Sequence, residues 1–305
     1  MKCDKCGQVN TPEANSCTWC GTPLVPSAVD SLIPHRDLGQ IISYTFDLYG
    51  KHFWKFILIV LPVQILGFAG LFLIPEMSPE FINDPSSEGL REYLVTLAIV
   101  MIPYSVVIFV ATLVSQGATM HAVGRLYMGR EINVQGSYRL ALSKVWIMIL
   151  AGLLLVLGFV AAMLLSVVII GIPIGFILAI SWAFVFPIIM IEGGGPVSAL
   201  GRSFRLVRGS RWRVLGIGIV FVLISLGIAV GMSIAVAIVG AISEPVGSLV
   251  STIGQALLAP LWYIGLTIVY FDLRTRREGL TVDSLAMEMD ERVVGAASSD
   301  DLRDM

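Results

Sequence analysis

From Val145 to Ile191 the chain runs for about 47 residues without one charged side chain. No other feature constrains the fold as tightly. A membrane-crossing helix needs about 20 apolar residues, so this run predicts two spans turned at Gly-Ile-Pro-Ile-Gly, 171–175. A bent re-entrant element over 145–191 is the alternative. Comparable runs elsewhere place six spans near 53–74, 94–117, 145–169, 173–191, 214–240 and 247–271. Charged residues make up only 14% of the chain, against about 25% in soluble domains. The expectation is an all-α polytopic membrane protein. The start is rich in Cys and Pro and the first apolar run opens only near Phe53, so no cleavable signal peptide is expected.

Basic residues orient the spans. With the N-terminus inside, the inner loops are 118–144, 192–213 and everything after 271. They carry Arg125, Arg130, Arg139 and Lys144, then Arg202, Arg205, Arg208, Arg211 and Arg213, then Arg274, Arg276 and Arg277. Arg36, Lys51 and Lys55 precede or open the first span. The outer loop 75–93 holds five acidic residues and Arg91, the one basic residue of 20 assigned outside. This asymmetry predicts a multi-pass protein of the cytoplasmic membrane with both termini in the cytoplasm.

A ten-residue phrase recurs before three of the spans: "TFDLYGKHFW" (45–54), "SYRLALSKVW" (137–146) and "SFRLVRGSRW" (203–212). Each has a small hydroxyl residue, an aromatic, a Leu two further on, and a Trp eight after the aromatic. The repetition predicts three units, about 38–117, 134–191 and 198–271, each a short interfacial amphipathic helix followed by a transmembrane hairpin. Leu38, Ile41, Ile42, Thr45, Leu48 and Tyr49 form the apolar face of the first helix, opened by an Asp37–Gln40 capping box. Leu200, Phe204 and Val207 form that of the third. Trp54, Trp146 and Trp212 mark the interface. With Arg202, Arg205, Arg208 and Arg211 they are the candidate contacts for anionic lipid headgroups or a cytoplasmic partner, about 1 kcal/mol per basic residue near an anionic surface. Topological anchoring alone is the competing reading.

Cys3, Cys6, Cys17 and Cys20 form two CxxC pairs, each followed by Gly, on the reducing side of the membrane. Four thiolates at this spacing predict a closed, structural Zn²⁺ ribbon over 1–24 rather than disulfides or a redox pair. A site with no open position is not catalytic. Only Lys2 and Lys5 are basic there, so nucleic-acid binding is not expected, whereas a cytoplasmic protein partner is. A Pro-rich linker, 25–36, leads to the membrane domain, 37–280. Residues 281–305 read as an acidic, disordered cytoplasmic tail.

With these elements in place, "ALGRSFRLVRGSRWRVLG" (199–216) and "IVYFDLRTRREGL" (268–280) carry a resemblance to the membrane domain of glycerophosphoryl diester phosphodiesterases. It covers roughly 35–280. In the fused members the resemblance implies a hydrolase barrel in a separate domain, for which this chain has no length. Other motifs point nowhere. "HRDL" (35–38) has Ile42 where a kinase loop needs Asn, and "EGGGP" (192–196) reads as a turn. His35, His52 and His121 lie outside the spans. No span interior contains an ionisable residue; Gln64, Gln116 and Gln255 are the polar remainder, and Pro103, Pro187 and Pro260 are candidate kinks. Glu192, Asp272 and His121 look scattered, with no catalytic constellation. The function expected is therefore non-enzymatic binding of lipids or partner proteins. A transporter or channel with an uncharged pathway is the alternative, and a lipid-modifying enzyme or its accessory subunit is a weaker one. Oligomeric state is not readable.

Overall fold

A computed structural model describes residues 6–9, 17–20, 33–75, 87–165, 171–241 and 243–290. Among them the membrane domain is helical throughout, in the order α1 (Leu38–Lys51), α2 (Phe53–Gly70), α3 (Ser87–Tyr127), α4 (Val134–Ser143), α5 (Val145–Leu165), α6 (Gly171–Ser181), α7 (Val185–Ile191), α8 (Pro196–Val207), α9 (Arg211–Gly240) and α10 (Glu244–Glu278). A last helix, α11, covers 282–290. Six of the described segments are long and apolar enough to cross a membrane. α10 is the hub, packing against α9, α2, α1, α3 and α8.

The packed core lies at the basic end of the bundle. It joins Phe56 and Ile59 of α2 to Ala118, Met120, Ala122 and Val123 of α3, and adds Ile188 to Ile191 with Ile264, Tyr270 and Phe271. Toward the other end the same helices present exposed Leu, Ile, Val and Phe, as at Ile65, Ile99, Leu157, Leu226 and Ile253. Apolar side chains that face hydrocarbon need no protein partner, whereas helix ends reaching past the lipid must bury their apolar faces against each other.

All three copies of the phrase fall on a short helix and the start of the long helix after it: α1–α2, α4–α5 and α8–α9. Their burial matches position by position. Thr45, Ser137 and Ser203 are wholly buried, as are Leu48, Leu140 and Leu206 nearly so. Trp54, Trp146 and Trp212 are 74%, 72% and 85% exposed. Hydroxyl and Leu stand three residues apart, hence on one helical face. A small side chain lets the helix approach the core closely, and its hydroxyl then needs a partner. Thr45 Oγ1 donates to the Ile41 carbonyl (2.7 Å), Ser137 Oγ meets His121 Nδ1 (3.0 Å), and Ser203 Oγ donates to the Ser181 carbonyl (2.7 Å). The Asp37–Gln40 capping box forms in both directions.

Several expectations need correction. The buried face of α8 is Ala199, Ser203, Leu206 and Val207; Phe204 points outward. In α1 the buried set is Ile41, Thr45, Leu48 and Tyr49, while Leu38 is exposed. Parts of the expected inner loops are helix: α3 continues to Tyr127 and α10 to Glu278, with 41 and 35 residues, about 61 and 52 Å at 1.5 Å per residue. Both outrun a hydrocarbon core of about 30 Å. Pro103 and Pro260 lie inside continuous helices. The fourth span instead breaks into α6 and α7 through a turn at 182–184. Pro187 accounts for the break, because it can neither donate to the Ala183 carbonyl nor tolerate it in helical position. "EGGGP" is a turn, as expected, and its Pro196 opens α8.

The expected tail is the largest difference. Gly279 closes α10 with φ 63°, a left-handed conformation that favours glycine. The chain then turns back as α11, burying Leu285 and Met289 in the core. Residues 33–36, at the end of the expected linker, are docked too: Ile33 is buried, and its N–H donates to the Leu280 carbonyl at 3.4 Å. Residues 291–305 and 21–32 lie outside the described residues.

Candidate functional site

The charged residues beyond the spans organise the basic end. Glu192, just past α7, accepts from Arg202 Nε of α8 (2.7 Å) and from the Tyr270 hydroxyl of α10 (2.8 Å). Arg202 also donates to Glu278 (2.7 Å), and Arg274 grips both oxygens of Glu288 on α11 at 2.8 Å each. The hydrogen bond to Glu278, with another to Glu192, outweighs partial desolvation and holds the Arg202 guanidinium more firmly protonated than usual. A second group centres on buried Asp272, which accepts from Arg213 (3.0 Å), Arg276 (3.0 Å) and the Arg36 backbone N–H (2.9 Å). Arg36 returns the contact: its carbonyl accepts from Arg213 and Arg276, and its guanidinium lies 3.8 Å from the Tyr44 ring centroid.

Glu192 and Asp272 are thus not scattered. Each joins segments far apart in sequence, and each is held by arginines. Carboxylates whose oxygens are already taken by guanidinium groups suit a clamp rather than proton transfer. His121 is buried against Ser137. Arg130 forms an ion pair with Asp290 that lowers the carboxyl pKa and fastens the end of α11.

The four candidate arginines separate in this frame. Arg202 is committed to Glu192 and Glu278. Arg205 and Arg208 are exposed on α8 and its end. Arg211, at the start of α9, lies 5.0 Å from the Phe204 ring centroid, and its buried Nε has no hydrogen-bond partner among the described residues. Arg211, Leu215, Gly218 and Val222 follow at helical spacing on one stripe of α9. Below Arg211 that stripe lines an apolar groove of about 380 Å³, walled by Phe176 and Ile180 of α6 and by Trp262 and Leu266 of α10. The α8–α9 corner therefore places exposed guanidinium groups above a chain-sized apolar slot.

No protein-family model, curated protein or solved structure matches this chain. The likeness to the phosphodiesterase membrane domain accordingly rests on its two sequence motifs.

At the N-terminus, the sulfur atoms of Cys6, Cys17 and Cys20 lie within 4.8 Å of one another, with Cys6 and Cys17 at 3.5 Å. Thiolates around a tetrahedral zinc with Zn–S near 2.3 Å are about 3.8 Å apart, so the cluster has the geometry to hold such a metal. Gly7, directly after Cys6, has φ 75°, a left-handed turn that favours glycine. Cys3 lies outside the described residues.

The residues that sequence reasoning missed, Arg36, Tyr270, Arg274, Glu278 and Glu288, did leave a signal. In "YFDLRTRRE" (270–278), Asp272–Arg276 and Arg274–Glu278 stand four apart, the spacing of ion pairs on a helix. Treating everything after 271 as loop hid it.

Proposed function

We propose that this is an integral protein of the cytoplasmic membrane, without catalysis of its own, that holds an anionic phospholipid at the α8–α9 corner. The headgroup phosphate sits against Arg205, Arg208 and Arg211, and an acyl chain enters the groove below. The observation that carries this reading is the stripe on α9 that leads from the unpartnered Arg211 Nε into that groove. A buried guanidinium nitrogen without an acceptor is costly, and a phosphate is the geometrically matched acceptor. The three short-helix-plus-span segments are duplicated units whose first helices lie in the inner headgroup layer, and their position-by-position burial supports this. The cysteine cluster, with Cys3 as fourth ligand, is a structural Zn²⁺ ribbon that presents a docking surface to a cytoplasmic protein.

The test compares lipids retained by the protein after mild-detergent purification, read by native mass spectrometry. Replacing Arg205, Arg208 and Arg211 by Gln should weaken retention of phosphatidylglycerol by about 100-fold, from about 1 kcal/mol each, with the loss shrinking as salt rises. A side chain added at Gly218 meets open space, so Gly218→Phe should block the groove and lower retention with every charge in place. Unchanged retention in both variants, with the spans inserted, would leave the arginines as topological anchors.

A further inference from the structure

The polar residues left inside the spans are not dispersed. Gln64 of α2 and Gln255 of α10, about 190 positions apart, line the same cavity of about 210 Å³ with Thr112 of α3 and Tyr263 of α10. The same two glutamines line a second cavity of about 380 Å³ that extends to Leu71, Gly240 and Ser248, at the end of the bundle opposite the arginines. The groove on another flank of α10 is apolar throughout, so this convergence is a property of one place.

The Gln64 amide and the Tyr263 hydroxyl, both on half-buried side chains, have no hydrogen-bond partner among the described residues. Gln255 reaches only Ser251 on its own helix, at 3.3 Å. In hydrocarbon each such group is left unsatisfied at a cost of several kcal/mol that helix packing does not recover. Water removes the cost, and the inner cavity has space for several molecules at about 30 Å³ each. No charged side chain lines either cavity, so an ion that left bulk water would meet no counter-charge there. The inner wall is closed: Ser115 donates to the Ile59 carbonyl at 3.0 Å, the Tyr138 hydroxyl reaches the same oxygen, and Phe56 and Ile59 belong to the packed core behind.

We propose that these cavities form one water-filled, dead-ended pocket that receives small uncharged hydrogen-bonding solutes and turns away ions. It is independent of the lipid site. The test measures thiol labelling in membrane vesicles, with the parent chain giving the background from its native cysteines. Ser248→Cys probes the mouth, Thr112→Cys the inner cavity, and Val106→Cys, on the exposed face of α3, the lipid. An uncharged water-soluble methanethiosulfonate should label the mouth and inner positions at least about tenfold faster than Val106→Cys, since the reactive thiolate requires water. A cationic analogue should reach Ser248→Cys and not Thr112→Cys. Molar glycerol should slow the inner labelling, as should Gln64→Leu with Gln255→Leu. Should Thr112→Cys fail to fold, Ala259→Cys, which lines the same inner cavity, takes its place. Inner labelling as slow as Val106→Cys would mean a dry or lipid-filled cavity and overturn the proposal. Equal inner rates for the neutral and cationic reagents would overturn the exclusion of ions.

Discussion

Ser203 shows how much one small side chain carries here. Its hydroxyl donates to the Ser181 carbonyl and accepts from the Phe184 N–H, at 2.7 and 3.3 Å, across the break that Pro187 makes in the fourth span. Breaking a helix inside lipid frees backbone groups, and α8 supplies a partner for two of them. Ser203→Ala is expected to cost about 1–3 kcal/mol, the range for orphaning buried polar groups, read as a lower thermal midpoint in detergent. Ser210→Ala, in the same phrase but with a half-buried side chain, should change little. At the cysteines, Cys17→Ser is expected to abolish the roughly one zinc per chain that elemental analysis should find in the parent. The sequence showed that Thr45, Ser137 and Ser203 recur, but not why. Thr45 bonds within its own helix, but Ser137 and Ser203 declare a partner only once another chain segment is beside them: His121 and Ser181 belong to different helices from the phrases they satisfy.

Among the elements, α11 departs furthest from what its composition suggested. Its acidic residues read as solvated, but Glu288 and Asp290 face Arg274 and Arg130 while Leu285 and Met289 enter the core. A chain ended after Glu278 loses three buried apolar side chains, Leu280, Leu285 and Met289, worth about 1.5–3 kcal/mol each, and leaves Arg274 without Glu288. We expect several kcal/mol of destabilisation in a detergent melt, whereas a chain ended after Asp290 should melt like the parent. The six spans and the three phrase helices were legible because lipid imposes a length and an amphipathic face imposes a period. The ion-pair network was not, because it joins the extension of α10, which hydropathy treats as loop, to residues far away in sequence: Arg36, Glu192, Arg202, Arg213 and Glu288. Hydropathy reports where the hydrocarbon ends, not where the helix does.

Across the whole molecule, packing is concentrated at the end that carries the arginines, the end that the proposed orientation turns toward the cytoplasm. Ser87→Cys, at the start of α3, should be labelled by an impermeant thiol reagent in intact cells, and Ser210→Cys should not; the reverse pattern would invert the orientation. The hub helix α10 holds the beginning of the domain as well as its end. The Leu257 carbonyl accepts from Tyr49, and Arg276 reaches the carbonyl of Arg36, 240 positions earlier. During synthesis, α1 and α2 are complete while the helix that will pack against them is still about 200 residues from the ribosome exit. At about 5–20 residues per second that interval is about 10–40 s. Through it, the α1 face built from Ile41 and Leu48 waits without its main packing partner, giving insertion factors and quality-control proteases a long window on a half-made chain.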